Sequence, residues 1–514
     1  MRVDRVEALV IGGGVTGTGI ARDLAMRGFD TMLVEAGDFS AGATGANHGM
    51  LHSGARYAVN DPISARECAG ESAVLRRIAR YCIEDTGGLF IATRQDDPTY
   101  LDRFLPACAS AGVTARGIGV KEARELEPNL AQDIQAAVEV PDASIDPFFL
   151  TLGNVSSARR HGAVVFNHCP LQTLRRKNGA FEAIVGLGEE RRTIRSEIII
   201  NAGGAWADQI TSMVGAHIPL CVDKGSMVVL NGRLVNRLVN RLRPPSDGDI
   251  LVPHRTGTIL GTTSSPGVLK DIRATANEVR YLLNEAMVIV PTIVESRAVR
   301  AYAGVRPLLG TGSSGREASR AFQVIDHAAD DIDGMISVVG GKLTTFRLMA
   351  EKAADLASIK LGRKGSCRTA VEEIVPYDSE ASSDLTEEAA RLRHGGAWKD
   401  VLSERSEPAW AGQGCGCEAV SRTEMAYFAA SPDVRDIGDL MRRTRAGMGY
   451  CQASLCAVAM ISTLGQGVGE LQAYYGERWK GTEPVLFGEQ LRQEAFKAHL
   501  LKVYGIDPSR EAGQ

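Results

Sequence analysis

The chain has 514 residues, of which 44% are hydrophobic and 23% charged, and its formal net charge is −4. This composition is typical of globular proteins, and the length predicts about three domains. The weak negative charge gives no electrostatic basis for binding nucleic acid, and no apolar run reaches the about 20 residues that a bilayer span needs. We therefore expect a cytoplasmic protein whose ten cysteines form no disulfide framework.

The first 36 residues predict a strand, a tight turn, a helix and a second strand. Gly12, Gly14 and Gly17 fit the G-x-G-x-x-G pattern, in which glycines allow the turn, the approach of a pyrophosphate and close helix–strand packing. The phosphates would then lie at a helix N-terminus, where free N–H groups favour anions. Glu35 follows the second strand, where its carboxylate can accept hydrogen bonds from ribose hydroxyls and would repel a ribose phosphate.

Two further glycine-rich turns and a glycine-rich loop favour FAD over a mobile nicotinamide coenzyme. The loop is "GDFSAGATGANHGMLHSGARY", and the turns are "NAGGAWAD" and "VVGGKLTTFR". Several such segments can surround one extended ligand whose backbone contacts need close approach. The residues predicted to contact the cofactor in these segments are Thr44, Asn47, His48, Gly49, Leu51, Gly203, Gly341, Leu343 and Thr344.

Strands and helices alternate up to about residue 350, which predicts an α/β architecture with an inserted substrate domain. Within it, "RLVNRLVNRLR" (233–243) places Arg233, Arg237 and Arg241 on one stripe of a predicted helix. Such a stripe is either a contact for anionic lipid or a partner, or a solvated helix flank. Residues 378–408 are charged and weakly apolar, which indicates a linker with one helix.

Four cysteines cluster in two short segments near the C-terminus, as Cys415-x-Cys417 and Cys451-x4-Cys456. Thiolates paired at short range on two loops can converge on one metal centre. A tetrahedral zinc ion and a 2Fe–2S cluster each take four cysteines, so the spacing leaves both open.

Several motifs occur in an order that resembles one enzyme family. "VIGGGVTGTGIARDLAMRG", "GATGANHGMLHSGARYAV", "AYAGVRPLL" and "GGKLTTFRLMAE" are together similar to the FAD-dependent glycerol-3-phosphate dehydrogenases over about residues 6–360. "RTRAGMGYCQASLC" and "ERWKG" extend the resemblance to the large catalytic subunits of the anaerobic members.

The resemblance implies a Rossmann-like FAD-binding domain of the D-amino-acid-oxidase and glycerol-3-phosphate-dehydrogenase type. Residues 1–360 would form this FAD-dependent oxidoreductase with its interleaved substrate domain, and 361–410 a linker. Residues 411–465 resemble the ferredoxin-like module of the bacterioferritin-associated ferredoxin type, which holds a 2Fe–2S cluster, and 466–514 would be a helical tail. That module usually ends in Cys-x-x-Cys, whereas this chain has Cys-x-x-x-x-Cys.

The resemblance also implies an activity. Members oxidise sn-glycerol 3-phosphate to dihydroxyacetone phosphate by hydride transfer to FAD, as glycerol-3-phosphate dehydrogenases with a quinone acceptor. Smaller partner subunits would pass the electrons to menaquinone. Because the chain has no span of its own, it would associate peripherally with the inner face of the membrane through these partners.

Positions matching the family's active-site cations are Arg306, Arg320 and Lys342. Arg56 and Tyr57 match a substrate-side pair, and His52 in the same loop could relay a proton. We predict that Arg320 and Arg56 bind the phosphate. Arg306 and Lys342 are then expected nearer the reacting hydroxyl, where positive charge stabilises a developing alkoxide.

Two other functions fit parts of this pattern. An amino-acid or imino-acid dehydrogenase of the same flavin superfamily would need only one arginine, such as Arg306, for a substrate carboxylate. A redox or metal-sensing protein without turnover would use flavin and thiols as sensors. The further cations Arg56, Arg320 and Lys342 favour a phosphate substrate over both alternatives.

Overall fold

A computed structural model of the chain describes residues 3–270, 272–310, 321–403, 412–503 and 505. The strands, in chain order, are β1 (Val3–Ile11), β2 (Thr31–Val34), β3 (Met50–Leu51), β4 (Ile83–Glu84), β5 (Gly88–Ala92), β6 (Arg116–Ile118), β7 (Ala136–Val140), β8 (Ala143–Ile145), β9 (Val164–Phe166), β10 (Leu171–Lys177), β11 (Ala180–Leu187), β12 (Glu190–Asn201), β13 (Leu220–Leu230), β14 (Leu238–Arg241), β15 (Ile250–His254), β16 (Gly257–Gly261), β17 (Ser265–Pro266), β18 (Ala298–Leu309), β19 (Phe322–Asp326), β20 (Met335–Gly340), β21 (Gln413–Cys415) and β22 (Val420–Ser421).

The α-helices, in chain order, are α1 (Val15–Met26), α2 (Pro62–Ile78), α3 (Tyr100–Ser110), α4 (Val120–Leu126), α5 (Pro147–Arg160), α6 (Ala207–Ser212), α7 (Ala276–Ile289), α8 (Phe346–Lys360), α9 (Leu385–His394), α10 (Trp398–Val401), α11 (Arg422–Ala429), α12 (Ile437–Thr444), α13 (Ala457–Thr463), α14 (Val468–Thr482) and α15 (Glu489–Val503). Among the described helices, none is both long and apolar enough to cross a bilayer.

The first sheet carries the glycine-rich turns at one edge. β12, β1, β2 and β9 run parallel in that order, β20 lies parallel to the end of β12, and β10 and β11 extend the other side antiparallel. The apolar end of β1, residues 8–11, is buried on both faces. Ala8 and Val10 pack against α1, α5 and α8, whereas Leu9 and Ile11 pack in a separate cluster on the opposite face. The carboxyl ends of β1, β12 and β20 therefore meet at the same edge, where ligands bind in such sheets.

The second sheet has nine strands and forms the inserted part of the chain. Its order is β17-β13-β16-β15-β14-β5-β7-β6, and the long edge strand β18 pairs antiparallel with β13. In this register Asp223 of β13 lies opposite Arg306 of β18. The second sheet thus places an acidic residue beside Arg306, one of the predicted cations.

The segment "RLVNRLVNRLR" is not the predicted helix, so the helical interpretation is wrong. Residues Leu238–Arg241 form β14 between β15 and β5, and all four are buried. Arg241 is 2% exposed and pairs with Asp96 at 2.7 Å and Glu285 at 3.0 Å. Because β14 is an inner strand and Arg241 is enclosed, this segment offers no continuous basic face to lipid.

The C-terminal part packs a hydrophobic core of its own around the four cysteines. Val420, Met425, Leu440 and Met460 are fully buried in it. Residues 378–403 contain two helices, α9 and α10, where the sequence predicts one. Beyond the cysteines, the described part of the tail consists largely of α14 and α15.

Candidate active site and thiol centre

The turn after β1 has room for glycine alone at two positions. Gly12 has φ +114°, and a Cβ there would lie 2.4 Å from the carbonyl oxygen of Ala202. A Cβ on Gly17 would lie 1.9 Å from the carbonyl oxygen of Gly12. Helix α1 then begins at Val15, after Gly14 and without a side-chain cap of its own. This tight turn leading into an uncapped helix N-terminus fits a bound pyrophosphate.

The turn from Gly12 to Gly17 is called the glycine cradle here, and Glu35 closes it from the end of β2. Its carboxylate accepts hydrogen bonds from the N–H groups of Gly13 at 2.5 Å and Gly37 at 2.8 Å. The side chain therefore lies against the glycine turn, beside the place where a ribose would follow the phosphates. Gly13 also belongs to the cradle, because a Cβ there would lie 2.7 Å from the Cβ of Glu35. The G-x-G-x-x-G pattern alone did not identify Gly13 as part of the cradle.

The segment from Gly42 to Gly54, called the flavin loop here, is fixed onto strand β18. Asn47 accepts from the N–H of Gly49 at 2.7 Å, and its own carbonyl accepts from the Tyr302 hydroxyl at 2.8 Å. A Cβ on Gly304 would lie 2.2 Å from the carbonyl oxygen of Ala46, so the loop crosses the strand at a glycine. Glycine inside a strand marks such a close backbone approach.

The remaining predicted cofactor contacts gather around this loop. The Thr44 hydroxyl accepts from the N–H of Val15 at 3.1 Å, which holds the loop at the start of α1. The Thr344 hydroxyl accepts from the N–H of His52 at 3.1 Å, which brings in the turn after β20. The other predicted contacts lie in these same turns and strands, namely His48, Leu51, Gly203, Gly341 and Leu343.

A cavity of about 640 Å³ opens beside the flavin loop and receives most of the predicted substrate residues. Its lining includes the predicted residues His48, His52, Arg56, Tyr57 and Arg306. The structure thus brings together side chains from the flavin loop, from the short helical turn after it and from β18.

Arg306 is held in place by partners that the sequence did not reveal. Its two Nη atoms donate to Asp223 at 2.5 Å and to the Thr262 hydroxyl at 2.5 Å. A Cβ on Gly225 would lie 2.3 Å from the guanidinium, so this glycine gives the side chain its space across β13. Gly225 within an otherwise regular strand was the available sequence signal.

Arg56 and the two histidines leave polar atoms without partners. Arg56 Nη2 donates to Asp249 at 3.0 Å, whereas its buried Nη1 has no hydrogen-bond partner among the described residues. The Nδ1 atoms of His48 and His52 are likewise buried without a partner in the described part of the chain. Burial, and then the Arg56 and Arg306 charges, lower the pKa of His48 to about 3. Burial, followed by the charges of His48, Arg56 and Lys342, lowers the pKa of His52 well below its usual value.

Lys342 does not line the cavity directly. Its Nζ donates to the Ser64 hydroxyl at 2.8 Å and lies 4.6 Å from the ring centroid of Tyr57, which does line it. The ammonium group therefore lies behind an aromatic ring that lines the cavity. Arg320 lies outside the described residues.

The four predicted thiols form one connected group. The sulfur of Cys417 lies 3.7 Å from that of Cys415 and 3.6 Å from that of Cys451, and Cys456 contacts Cys415. The sulfurs therefore neighbour one another in the order 456, 415, 417, 451. Hydrogen bonds among the thiols lower the pKa of Cys415 and Cys451 and raise the pKa of Cys417 and Cys456, so the first two become thiolates, the form that binds metals, before the other two.

A buried charge network connects the thiols to the flavin loop, through residues that no single sequence motif links. Arg445 is 3% exposed and donates to Glu418, next to Cys417, at 2.8 Å. It also donates to Asp146 at 2.6 Å and contacts Nε2 of His254 at 2.8 Å. The His254 ring in turn lies against the backbone of Gly49. The "RTRAG" motif contains Arg445, but its partners come from distant segments.

Comparison with known proteins identifies the family of this chain. A model of the FAD dependent oxidoreductase family matches residues 7–356. An anaerobic glycerol-3-phosphate dehydrogenase subunit of Haemophilus influenzae is 39% identical over 540 residues, covering 99% of this chain and 95% of that protein. The corresponding Escherichia coli protein is 40% identical over 519 residues, covering 95% of each. The chain belongs to the anaerobic glycerol-3-phosphate dehydrogenase family.

A solved structure supports the fold of this family member over its whole length. The glycerol-3-phosphate dehydrogenase from Bacillus halodurans, complexed with FAD, superimposes with a TM-score of 0.66 at 20% identity and covers 99% of this chain and 97% of its own. The predicted α/β fold of the FAD-dependent oxidoreductase type is therefore confirmed, and the glycine cradle fits the family's FAD.

Proposed function

We propose that this chain oxidises sn-glycerol 3-phosphate to dihydroxyacetone phosphate, with FAD as the hydride acceptor. The observation that carries the proposal is the cavity beside the flavin loop, where Arg56, Arg306 and two neutral histidines converge. Such a site offers cations for a phosphate and bases for an alcohol proton. The relatives that share nearly the whole chain bear the name of this activity.

Arg56 is the described residue best suited to the phosphate. Its Nη1 atom is buried and unpartnered, while Nη2 is fixed by Asp249, so the guanidinium is oriented and retains a donor. A charge-assisted hydrogen bond to a phosphate oxygen would satisfy that donor. Arg320 remains our second predicted phosphate ligand.

The alcohol end would lie near Arg306 and the two imidazoles. Bound FAD supplies the acceptor for the hydride from C2 of the substrate. The imidazole of His52 or His48 takes the hydroxyl proton at its Nδ1 atom, which is buried and has no partner among the described residues. Arg306, fixed by Asp223, stabilises the negative charge that develops on the oxygen. Lys342 adds positive charge through Tyr57.

The four thiols would hold a 2Fe–2S cluster. A tetrahedral zinc site, with Zn–S bonds of about 2.3 Å, brings all four sulfurs within roughly 4 Å of one another. Here the sulfurs follow one another in a row, and Cys415 and Cys456 are more deeply buried than Cys417 and Cys451. An elongated arrangement suits two bridged irons better than one ion.

Electrons would leave through partner proteins. The relatives are named as single subunits of an anaerobic dehydrogenase, which implies that other subunits accompany them. We expect smaller subunits to take electrons from the 2Fe–2S cluster to menaquinone, which makes the whole a quinone-dependent enzyme. Contact with those subunits would hold this chain at the inner face of the membrane.

One experiment separates this proposal from the amino-acid or imino-acid alternative. The holoenzyme is mixed anaerobically with glycerol 3-phosphate or with proline, and the absorbance band of oxidised flavin, at roughly 450 nm, is followed. We expect bleaching with glycerol 3-phosphate alone. Bleaching with proline alone would support the alternative, and bleaching by glycerol 3-phosphate without reduction of an added dye would favour a sensor.

A further inference from the structure

A second cavity, of about 680 Å³, lies on the other side of the flavin loop. Ala46 and Asn47 line both cavities, so the loop is the wall between them. Alternate residues of a strand share one face, and on β18 these include Arg300 and Arg306. Because the loop crosses that face at Tyr302 and Gly304, Arg306 reaches the first cavity and Arg300 the second.

Arg300 forms no ion pair with the residues that the structure describes, although the charge of the exposed Glu477 acts on it. The buried Nε of Arg300 lacks a hydrogen-bond partner among the described residues. Burial, and then the neighbouring Arg478 charge, lower the pKa of Arg300 to about 10. Helix α14 closes over it at Gly481, where a Cβ would lie 3.1 Å from Nε. Arg300 is half-buried and Arg478 is buried, and two adjacent guanidinium charges shielded from water are costly unless an anion joins them.

A third donor lies in the same cavity. The hydroxyl of Tyr474 is buried and has no acceptor among the described residues. Arg478 is fixed close to its ring by hydrogen bonds to Gln452 at 2.8 Å and 2.5 Å. The exposed Glu477 also lines the cavity but pairs with Lys480. The carboxylates of Asp436 and Glu470 line the cavity too, and they accept from the backbone N–H groups of Asp439 and Gly467. The Arg300 Nε and the Tyr474 hydroxyl therefore share this cavity without a hydrogen-bond partner among the described residues.

We propose that the second cavity is a binding site for a phosphate dianion, free or as a monoester, held by Arg300 and Tyr474 and by the charge of Arg478. A dianion matches two guanidinium charges, and its oxygens accept from the unpartnered Nε and hydroxyl. The site is independent of the substrate assignment, since none of these residues lines the first cavity. Tyr450 and Gln452 also line it, so an occupant would join β18 to the loop that carries Cys451.

The test counts phosphate sites on the holoenzyme. Inorganic phosphate is titrated by calorimetry into the wild type, Arg300→Gln, Arg56→Gln and the double variant, all with flavin bound. We expect two sites in the wild type, one in each single variant and none in the double variant. Two sites in Arg300→Gln would overturn the proposal, as would one site in the wild type that only Arg56→Gln removes.

A milder variant protects the test against misfolding. Tyr474→Phe removes only the hydroxyl, and we expect phosphate affinity at this site to fall about 10-fold, as for the loss of one hydrogen bond to a charged group. Unchanged affinity in Tyr474→Phe would remove that residue from the site. Flavin reduction by glycerol 3-phosphate should match the wild type in Arg300→Gln, and this result stays separate from any failure of the proposed substrate.

A second probe identifies the source of the phosphate. Adenosine 5′-monophosphate carries the same phosphate on an aromatic ligand, and the Tyr450 ring, 46% exposed, lines the cavity. Tighter binding of the nucleotide than of phosphate, lost in Arg300→Gln, would indicate an aromatic phosphate ester. Binding of phosphate alone, lost in the same variant, would indicate a small free phosphate. Either outcome supports the site, whereas binding of neither probe would contradict it.

Discussion

In the cavity beside the flavin loop, buried donors and acceptors lack partners among the described residues, whereas the buried carboxylates Glu418 and Glu424 near the thiols are paired with arginines. Arg56 Nη1 and the Nδ1 atoms of His48 and His52 have no hydrogen-bond partner among the described residues. Near the thiols, Glu424 accepts from Arg393 at 2.8 Å, and both side chains are buried. An unsatisfied buried polar group costs about 1–3 kcal/mol, so the first region suits a ligand that binds and leaves. The region around the thiols suits a cofactor that stays bound.

Buried ion pairs join these two regions. Arg443 of α12 donates to both carboxylate oxygens of Asp38, at 2.8 Å and 2.9 Å, and both side chains are nearly fully buried. On the surface nearby, Arg159 of α5 pairs with Asp433. The thiol region therefore packs on the flavin region through buried ion pairs that must stay paired. Because specific side chains form this contact, each region can be altered by mutation separately from the other.

The largest expected effect is at the thiols. Cys417→Ser should abolish the electron paramagnetic resonance signal of the proposed 2Fe–2S cluster, because Cys417 is the thiol that neighbours both Cys415 and Cys451. Reduction of flavin by substrate should be spared. Cys108→Ser, at a buried thiol far along the chain in α3, is the matched control and should keep the signal. Loss of flavin reduction in Cys417→Ser would mean that the two regions are not separable.

The next effect concerns docking. Asp38→Asn leaves the buried Arg443 without its carboxylate and should lower the free energy of unfolding by about 3–5 kcal/mol, measured by denaturant titration. The double variant Asp38→Asn with Arg443→Met should recover part of this loss, since the charge is then removed together with its partner. Additive losses in the double variant would show that the pair contributes no coupling.

In the cavity beside the flavin loop, Arg306→Ala should reduce turnover about 100-fold while flavin stays bound. A loss of this size is expected when a group that stabilises developing charge is removed. The steady-state rate with an artificial dye and the flavin absorbance measure the two quantities. Arg300→Gln, on the same face of the same strand, is the matched control and should keep its turnover. Equal rates in wild type and Arg306→Ala would exclude Arg306 from the reaction.

The smallest effect is on pH dependence. Asp142 lies under the flavin loop, accepts from the N–H of Ser53 at 2.8 Å, and burial raises its pKa from 3.8 to about 6. A raised carboxyl pKa stabilises the folded state at low pH, and this stability is lost as pH rises through 6. Relative to Asp142→Asn, the wild-type unfolding free energy should be about 1.3 kcal/mol greater at pH 5 than at pH 7. An unchanged difference would contradict the raised pKa.

Much of the fold could be predicted because its signals are local. Gly12 and Gly17 lie within six residues of each other and meet in one turn, so their spacing was sufficient. The thiols were predictable in pairs, although only folding brings Cys417 to 3.6 Å from Cys451. The helix predicted for the segment containing Arg241 was wrong, because a repeat of leucine and arginine has the same pattern in an amphipathic helix and in a strand with buried ion pairs.

The sequence by itself determined the glycine cradle, the acidic end of β2 and the two cysteine pairs, because each depends on residues a few positions apart. The tertiary structure decided that Asp223 fixes Arg306, that the flavin loop separates Arg306 from Arg300, and that Arg445 joins the thiols to the flavin loop. These arrangements depend on strand register and on packing between segments hundreds of residues apart. Local spacing carries no information about such contacts, whose energies arise only when the sheets and helices have assembled.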